Sequence, residues 1–345
     1  MDILLFGVLG LLVLLIVLFV YTQIKSTQIN KTYPPIGEFY DVDGVKIHAK
    51  YIKADKPSKT PPIVFIHGAS GNLRDQIAPF EDLTKIDADL LFIDRPGHGW
   101  SERGPDENKY PDQQATVIAK LMDQLAIDKA IMIGHSFGGA VLASFAVHHP
   151  SKIHSLIFLA PVAYPWPGGV RWYYTLTSLP VLGWLFANTL ALIAGLQRIE
   201  SGSKCVFWPN KMPDTYVRDT APELVLRPKT FQANAKDIVN LFDYLCKTWP
   251  KYKNIKAPTI IISGNRDTVV FPYIHSDGLH QHIKGSELYD LENLGHKPDH
   301  IATELTIAAI KKLSGDKNIS LKKMAEELDQ KLSRHLVSQK TDISI

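Results

Sequence analysis

The residues most able to do chemistry cluster around Ser136, in Gly134-His135-Ser136-Phe137-Gly138, where an apolar run stops and resumes as a stretch of small residues. A serine set in a tight strand-to-helix turn has its hydroxyl lifted clear of the sheet, and the glycines on either side remove side chains that would collide with neighbouring backbone. The helix that follows points its N-terminal dipole and free N–H groups at the serine, which favours negative charge there. This is local equipment for acyl transfer. Two further residues complete a set: Asp267, in Gly264-Asn265-Arg266-Asp267 directly after the apolar run Ile260–Ser263, and His296, in Leu294-Gly295-His296 after the last short strand near Glu287–Leu291. Serine is a weak nucleophile until a base takes its proton, and an acid behind a histidine fixes the histidine's tautomer and stabilises its charged form. Ser136, His296 and Asp267 are the residue types such chemistry needs.

For these residues to meet, the elements between them must form one sheet. Ile63–Ile66, Leu90–Ile93 and Ala130–Ile133 are short runs without polar alternation, as expected of strands covered on both faces. Glu38–Val42 and Val45–Lys53 flank Asp43-Gly44 as a hairpin. Further strands are expected at Ser155–Ala160, Thr259–Ser263 and Glu287–Leu291, with helical spacing between them. The expectation is an α/β fold with a doubly wound, mostly parallel sheet, whose strand ends gather the three residues over one edge.

Five motifs in chain order carry a resemblance. They are His67-Gly68, Asp94-Arg95-Pro96-Gly97-His98-Gly99-Trp100-Ser101, Gly134-His135-Ser136-Phe137-Gly138-Gly139, Gly264-Asn265-Arg266-Asp267 and Gly295-His296. From about Gly37 to Leu313 the chain resembles an α/β-hydrolase-fold serine hydrolase. That resemblance implies a catalytic triad of Ser136, Asp267 and His296 and an oxyanion hole built from the backbone N–H groups of Ala69 and Phe137. It also implies a helical lid between the sixth and seventh strands, at residues 163–256, and no metal or organic cofactor. His67, Trp166 and Trp172 are expected to touch substrate, and His67 also to brace the oxyanion loop. His135 is expected to pack beneath the elbow, and Asp94 to tie its own turn together.

The expected organisation is an anchor at 1–24, a tether at 25–36, a core at 37–162 and 257–314, the lid, and a terminal amphipathic helix and tail at 315–345. No residue from Ile3 to Ile24 is charged, which suffices for a transmembrane helix. The stretch lacks the basic start and small-residue cleavage site of a signal peptide. Lys25 and Lys31 follow it while Asp2 precedes it, which orients the catalytic domain towards the cytoplasm as a single-pass protein. Val170–Leu196 is also strongly apolar, but a second crossing there would separate Ser136 from Asp267 and His296 by a bilayer. It reads as lid helices, buried against the core or touching lipid.

A net charge of +3 from 38 basic and 35 acidic residues gives no case for nucleic acid as a partner. Cys205 and Cys246 have no metal-ligand spacing. The function these readings predict is hydrolysis of carboxylic esters of apolar acyl groups or lipids. Carbon–carbon bond hydrolysis, perhydrolysis and acyl transfer share the triad, and a non-catalytic, membrane-tethered binding module is a further alternative. Ser136 argues against members of the fold with an aspartate nucleophile.

Overall fold

The structure is a computed structural model, and it describes residues 2–56, 58–80 and 87–342. Residues 343–345 of the expected C-terminal tail lie outside the described residues. Eight strands form one sheet: β1 (Glu38–Val42), β2 (Val45–Ile52), β3 (Ile63–Ile66), β4 (Leu90–Ile93), β5 (Ala130–His135), β6 (Ile153–Leu159), β7 (Thr259–Gly264) and β8 (Glu287–Leu291). They run in the order β1-β2-β4-β3-β5-β6-β7-β8. The hairpin β1–β2 joins the sheet antiparallel, and β3 to β8 are parallel.

The side-chain alternation of a strand divides the core into two layers. Val64 and Ile66 of β3 pack towards α3 (Pro111–Gln124) and α4 (Phe137–His148), while Ile63 and Phe65 pack towards α2 (Leu73–Phe80). Both sets are buried, which explains why these strands are apolar at every position. Each such side chain taken out of water contributes about 1.5–3 kcal/mol, so the central strands are fixed firmly and their loops less so.

Between β6 and β7 the chain leaves the sheet and forms α5 (Trp172–Ser178), α6 (Pro180–Thr189), α7 (Ala191–Leu196), α8 (Ile199–Phe207), α9 (Tyr216–Thr220) and α10 (Pro228–Thr248). Pro180 breaks the apolar stretch into two helices because its missing N–H and fixed φ suit a helix start. After β7 come α11 (Pro272–His282), then α12 (Pro298–Ile301), α13 (Thr303–Leu313), which covers the Ile63 face of the sheet, and α14 (Leu321–Asp342). Leu321 and Leu332 of α14 are buried against the same layer, so at least part of this helix lies on the domain.

The N-terminal helix α1 spans Asp2–Thr32 and is long and apolar enough to cross a membrane. Most of the stretch read as a tether from residue 25 to 36 is therefore helical, which corrects that expectation. The reason is packing: Ile29 is buried among Ala187, Ala191, Leu192 and Leu224, and the Thr22 hydroxyl donates to the Thr189 carbonyl at 3.2 Å. A segment held by the helices between β6 and β7 continues as a helix instead of loosening.

Candidate active site

Ser136 caps α4 with φ 52° and ψ −118°, a strained conformation for a residue with a side chain. The surrounding glycines make it attainable. A Cβ on Gly138 would stand 2.3 Å from the Ile66 carbonyl oxygen, and one on Gly134 2.5 Å from that of Gly138. The Ser136 amide donates to the Leu159 carbonyl at 3.0 Å, and its own carbonyl accepts from Gly139 at 2.8 Å and Val162 at 3.0 Å. The turn is thus fixed by its neighbours, and Ser136 is 7% exposed.

Asp267 and His296 come from the loops after β7 and β8 and meet: His296 Nδ1 lies 2.6 Å from Asp267 Oδ2. The second oxygen, Oδ1, accepts the N–H groups of Val269 at 2.8 Å and Val270 at 2.9 Å, so the carboxylate cannot turn away. A Cβ on Gly264 would stand 2.1 Å from the Leu294 carbonyl oxygen, which is how closely the two loops approach. The His296 loop is bound to the elbow as well. His135 Nε2 donates to the His296 carbonyl at 2.9 Å, and the two rings lie 5.0 Å apart. His135 therefore packs against the site without entering it.

A Cβ on Gly68 would stand 3.1 Å from that of Ser136, which brings the next residue, Ala69, to the serine. Among the described residues the N–H groups of Ala69 and Phe137 have no hydrogen-bond partner. Two free amides beside a serine can stabilise an oxyanion.

His67 does not face substrate. It is fully buried; its Nδ1–H donates to the Gly68 carbonyl at 2.8 Å and its Nε2 accepts the Arg95 amide at 3.0 Å. Burial, then the Arg95 charge, lowers its pKa to about 3, so it stays neutral and braces the loop. Trp172 also departs from expectation, since it is 70% exposed at the start of α5. An apolar helix without a partner on one side leaves such a residue outside. Trp166 is half-buried, edge-on to Phe242 at 5.6 Å and to His275 at 6.2 Å, and packs against the core.

Sequence reasoning missed the residues that fasten this loop. Arg95, fully buried, donates from Nε to the His67 carbonyl and from Nη2 to the Gly68 carbonyl, each at 3.0 Å. Its Nη1 reaches Asp237 of α10 at 2.9 Å, and its guanidinium lies 4.4 Å from the Phe137 ring centroid. Burial lowers the Arg95 pKa to about 10, leaving it charged at neutral pH. The motif containing Arg95 was visible, but its partners were not. Asn234 of α10 accepts the Ser70 amide at 2.7 Å, and Asn210 accepts the Gly295 amide at 2.9 Å. Asp94, by contrast, holds its turn as expected, accepting Trp100 N–H at 2.8 Å and pairing with His48 at 2.7 Å.

Behind His296 lies a buried ionic cluster. Lys297 Nζ is 2.9 Å from both Asp75 Oδ2 and Asp299 Oδ2; His300 Nε2 is 3.0 Å from Asp75 Oδ1, and the Tyr216 hydroxyl donates to the same oxygen at 3.1 Å. Burial alone would raise the Asp75 carboxyl, but Lys297 and His300 outweigh it and hold it well below the usual range. Asp75, Asp299 and His300 have ligand atoms close enough to share a metal ion, but the Lys297 ammonium fills the position a cation would take.

The sequence profile of a family described as alpha/beta hydrolase fold matches residues 61–298. Among characterised proteins, the chain is 33% identical over 127 residues to the dihydrolipoyllysine-residue acetyltransferase component of the acetoin cleaving system of Cupriavidus necator, covering 37% of this chain and 32% of that protein. It is 24% identical over 254 residues to the 2-hydroxy-6-oxononadienedioate/2-hydroxy-6-oxononatrienedioate hydrolase of Klebsiella pneumoniae, covering 68% of this chain and 80% of that enzyme. A crystal structure of a membrane phospholipase A, described as a bacterial virulence factor, superposes with a TM-score of 0.61 at 19% identity, covering 92% of this chain and all of that one.

Proposed function

The chain belongs to the alpha/beta hydrolase fold family, and from that premise we propose that it is a membrane-anchored serine hydrolase cleaving carboxylic esters of apolar acyl groups. The observation that carries the proposal is the 2.6 Å bond between His296 Nδ1 and Asp267 Oδ2, formed by two loops that converge above a strained serine. With Nδ1–H donated to the carboxylate, His296 Nε2 is left as a base. It takes the Ser136 proton as Oγ attacks the ester carbonyl, and the amides of Ala69 and Phe137 bind the oxyanion. The imidazolium, stabilised by Asp267, gives its proton to the departing alcohol. Water then attacks the acyl-serine, losing its proton to Nε2, and the acid leaves while Ser136 recovers its hydrogen.

The apolar acyl group is supported by the surface of the lid. Val181 is 77% exposed, Leu182 and Trp184 are also exposed, and the Phe19 ring of α1 lies 6.0 Å from that of Trp184. A lid helix at the depth of an apolar span would touch lipid. Membrane anchoring through α1, with the catalytic domain on the cytoplasmic side, belongs to the same reading. A second reading, carbon–carbon bond hydrolysis with the same residues, is favoured by the similarity over 254 residues to the Klebsiella hydrolase.

The test is hydrolysis of p-nitrophenyl esters of graded acyl length by detergent-solubilised protein, beside Ser136→Ala and fluorophosphonate labelling. The expected result is activity that rises with acyl length and is lost, together with labelling, in Ser136→Ala. Wild type inert to both esters and fluorophosphonate would leave the family membership standing and remove the enzyme. Labelling without ester cleavage would favour the second reading.

A further inference from the structure

A cavity of about 850 Å³ lies where α1, the lid and the loop after β4 meet, and none of Ser136, Asp267 and His296 lines it. Gln23, Ser26 and Asn30 supply one wall, spaced so that they share a face of α1. Trp184 of α6 stands on its rim, and Arg227 and Lys229 enter at the start of α10.

The charges are unevenly answered. Arg103 faces Asp237 at 2.7 Å and Lys236 faces Asp106 at 2.6 Å, so these two cations are neutralised. Arg227 and Lys229 have no carboxylate within ion-pairing distance among the described residues, and Glu102 is the acid of the lining. Arg227 is held by neutral oxygens instead, Asn30 Oδ1 at 3.0 Å and the Leu224 carbonyl at 3.0 Å, and lies 4.9 Å from the Trp100 ring centroid. Burial lowers its pKa to about 10, which leaves a fixed positive charge at neutral pH. Two donors beside it are buried without partners, the Ser26 hydroxyl and Arg103 Nε.

Height along α1 identifies what such a cavity would meet. The apolar stretch ends near Val20, and the Phe19–Trp184 contact marks that level on the lid. From Gln23 to Asn30 the axis rises about 10 Å, enough to span the roughly 5–8 Å polar headgroup layer on one side of a bilayer. Tyr21 and Trp184 sit where aromatic residues mark such an interface. We infer that this cavity binds the phosphate of an anionic membrane lipid, with the acyl chains lying along the apolar flank of α1 and α6. The inference rests on α1 being the membrane anchor. The lipid would bridge α1 and α10, the helix whose Asn234 holds Ser70.

The experiment uses full-length, delipidated protein in neutral detergent, carrying Ser136→Ala so that no lipid is turned over. Native mass spectrometry follows titration with phosphatidylglycerol, with phosphatidylcholine of the same chains, and with inorganic phosphate. One phosphatidylglycerol per chain is expected, at least about tenfold tighter than phosphatidylcholine, with Lys229→Gln weakening it about fivefold and Arg227→Gln added to it by about fivefold more. Equal affinity for both lipids, unchanged affinity in the variants, or inorganic phosphate bound as tightly as phosphatidylglycerol would each overturn the assignment. Fluorophosphonate labelling of the same substitutions with Ser136 intact reports folding; exposed Lys229 carries the test alone should the Arg227 variant fail it. Failure of wild-type labelling removes the hydrolase reading without touching the titration, and release of the full chain by carbonate washing removes the anchor reading separately.

Discussion

At the scale of single residues, the structure is shaped by what is kept uncharged and what is kept paired. Burial lowers the pKa of His135 to about 4 and that of His67 to about 3, whereas in an unfolded chain both titrate near the ordinary histidine value. As pH falls below about 6.5, the unfolded chain binds protons that the folded one refuses, so stability is full above that value and declines towards pH 4 at up to roughly 1.4 kcal/mol per unit for each histidine. Urea midpoints at pH 7.5, 6 and 5 should fall accordingly. His135→Gln, which keeps a donor for the His296 carbonyl, should reduce the slope; an unchanged slope would show that His135 is not the group responsible. Lys297 is the opposite case, a buried cation holding two buried carboxylates. Lys297→Met should cost about 3–5 kcal/mol by leaving them uncompensated, and adding Asp75→Asn should recover part of the loss, read as melting temperature.

At the scale of elements, legibility followed the range of the interaction. Ile63–Ile66 and Leu90–Ile93 coincide with β3 and β4 as read from sequence, because full burial makes every position apolar. Ser136 and Asp267 stood out because each follows such a strand, whereas His296 follows the half-exposed β8 and stood out by its Gly-His motif and its place in the order Ser, Asp, His. Lys297 did not, since nothing in Gly-His-Lys-Pro says that the lysine turns inward to Asp75, 222 positions away. The bracing role of His67 was expected from the sequence, but its partner Arg95, on the next strand's loop, was not. The hold of α10 on Ser70 through Asn234 spans 164 positions and left no local trace. It has a measurable consequence. Asn234→Ala leaves the Ser70 amide and hydroxyl without those bonds and loosens the loop carrying Ala69. A cost of about 1–3 kcal/mol in the transition state predicts a fall in kcat of roughly 5–150-fold with KM nearly unchanged. A change confined to KM would mean that Asn234 serves substrate binding instead.

At the scale of the whole molecule, α1 is at once the candidate span and a support for the lid. Its 31 residues extend about 46 Å, more than the roughly 30 Å of a hydrocarbon core, and the surplus carries Thr22, Ile29 and Tyr33's approach to Glu223. Removing residues 1–20 should release the protein from membranes with little change in melting temperature. Removing residues 1–33 should also lower it, because the burial of Ile29 is worth about 1.5–3 kcal/mol and each kcal/mol moves the midpoint of a domain this size by about 2–4 °C. Identical melting of the two truncations would mean that α1 does not brace the lid. The lid is also unequally fastened. Asn210, Asn234 and Asp237 stitch its later part to the core, whereas α6 leans on α1 through Thr189 and Trp184 and presents Val181 and Leu182 outward. On the proposed reading, the way in for a substrate lies beside α6, on the side of α1. An enzyme fed from that side responds to the mole fraction of substrate in the leaflet and not to its molarity in the buffer. Diluting its vesicles with water should leave turnover unchanged, while diluting the substrate with inert lipid should slow it.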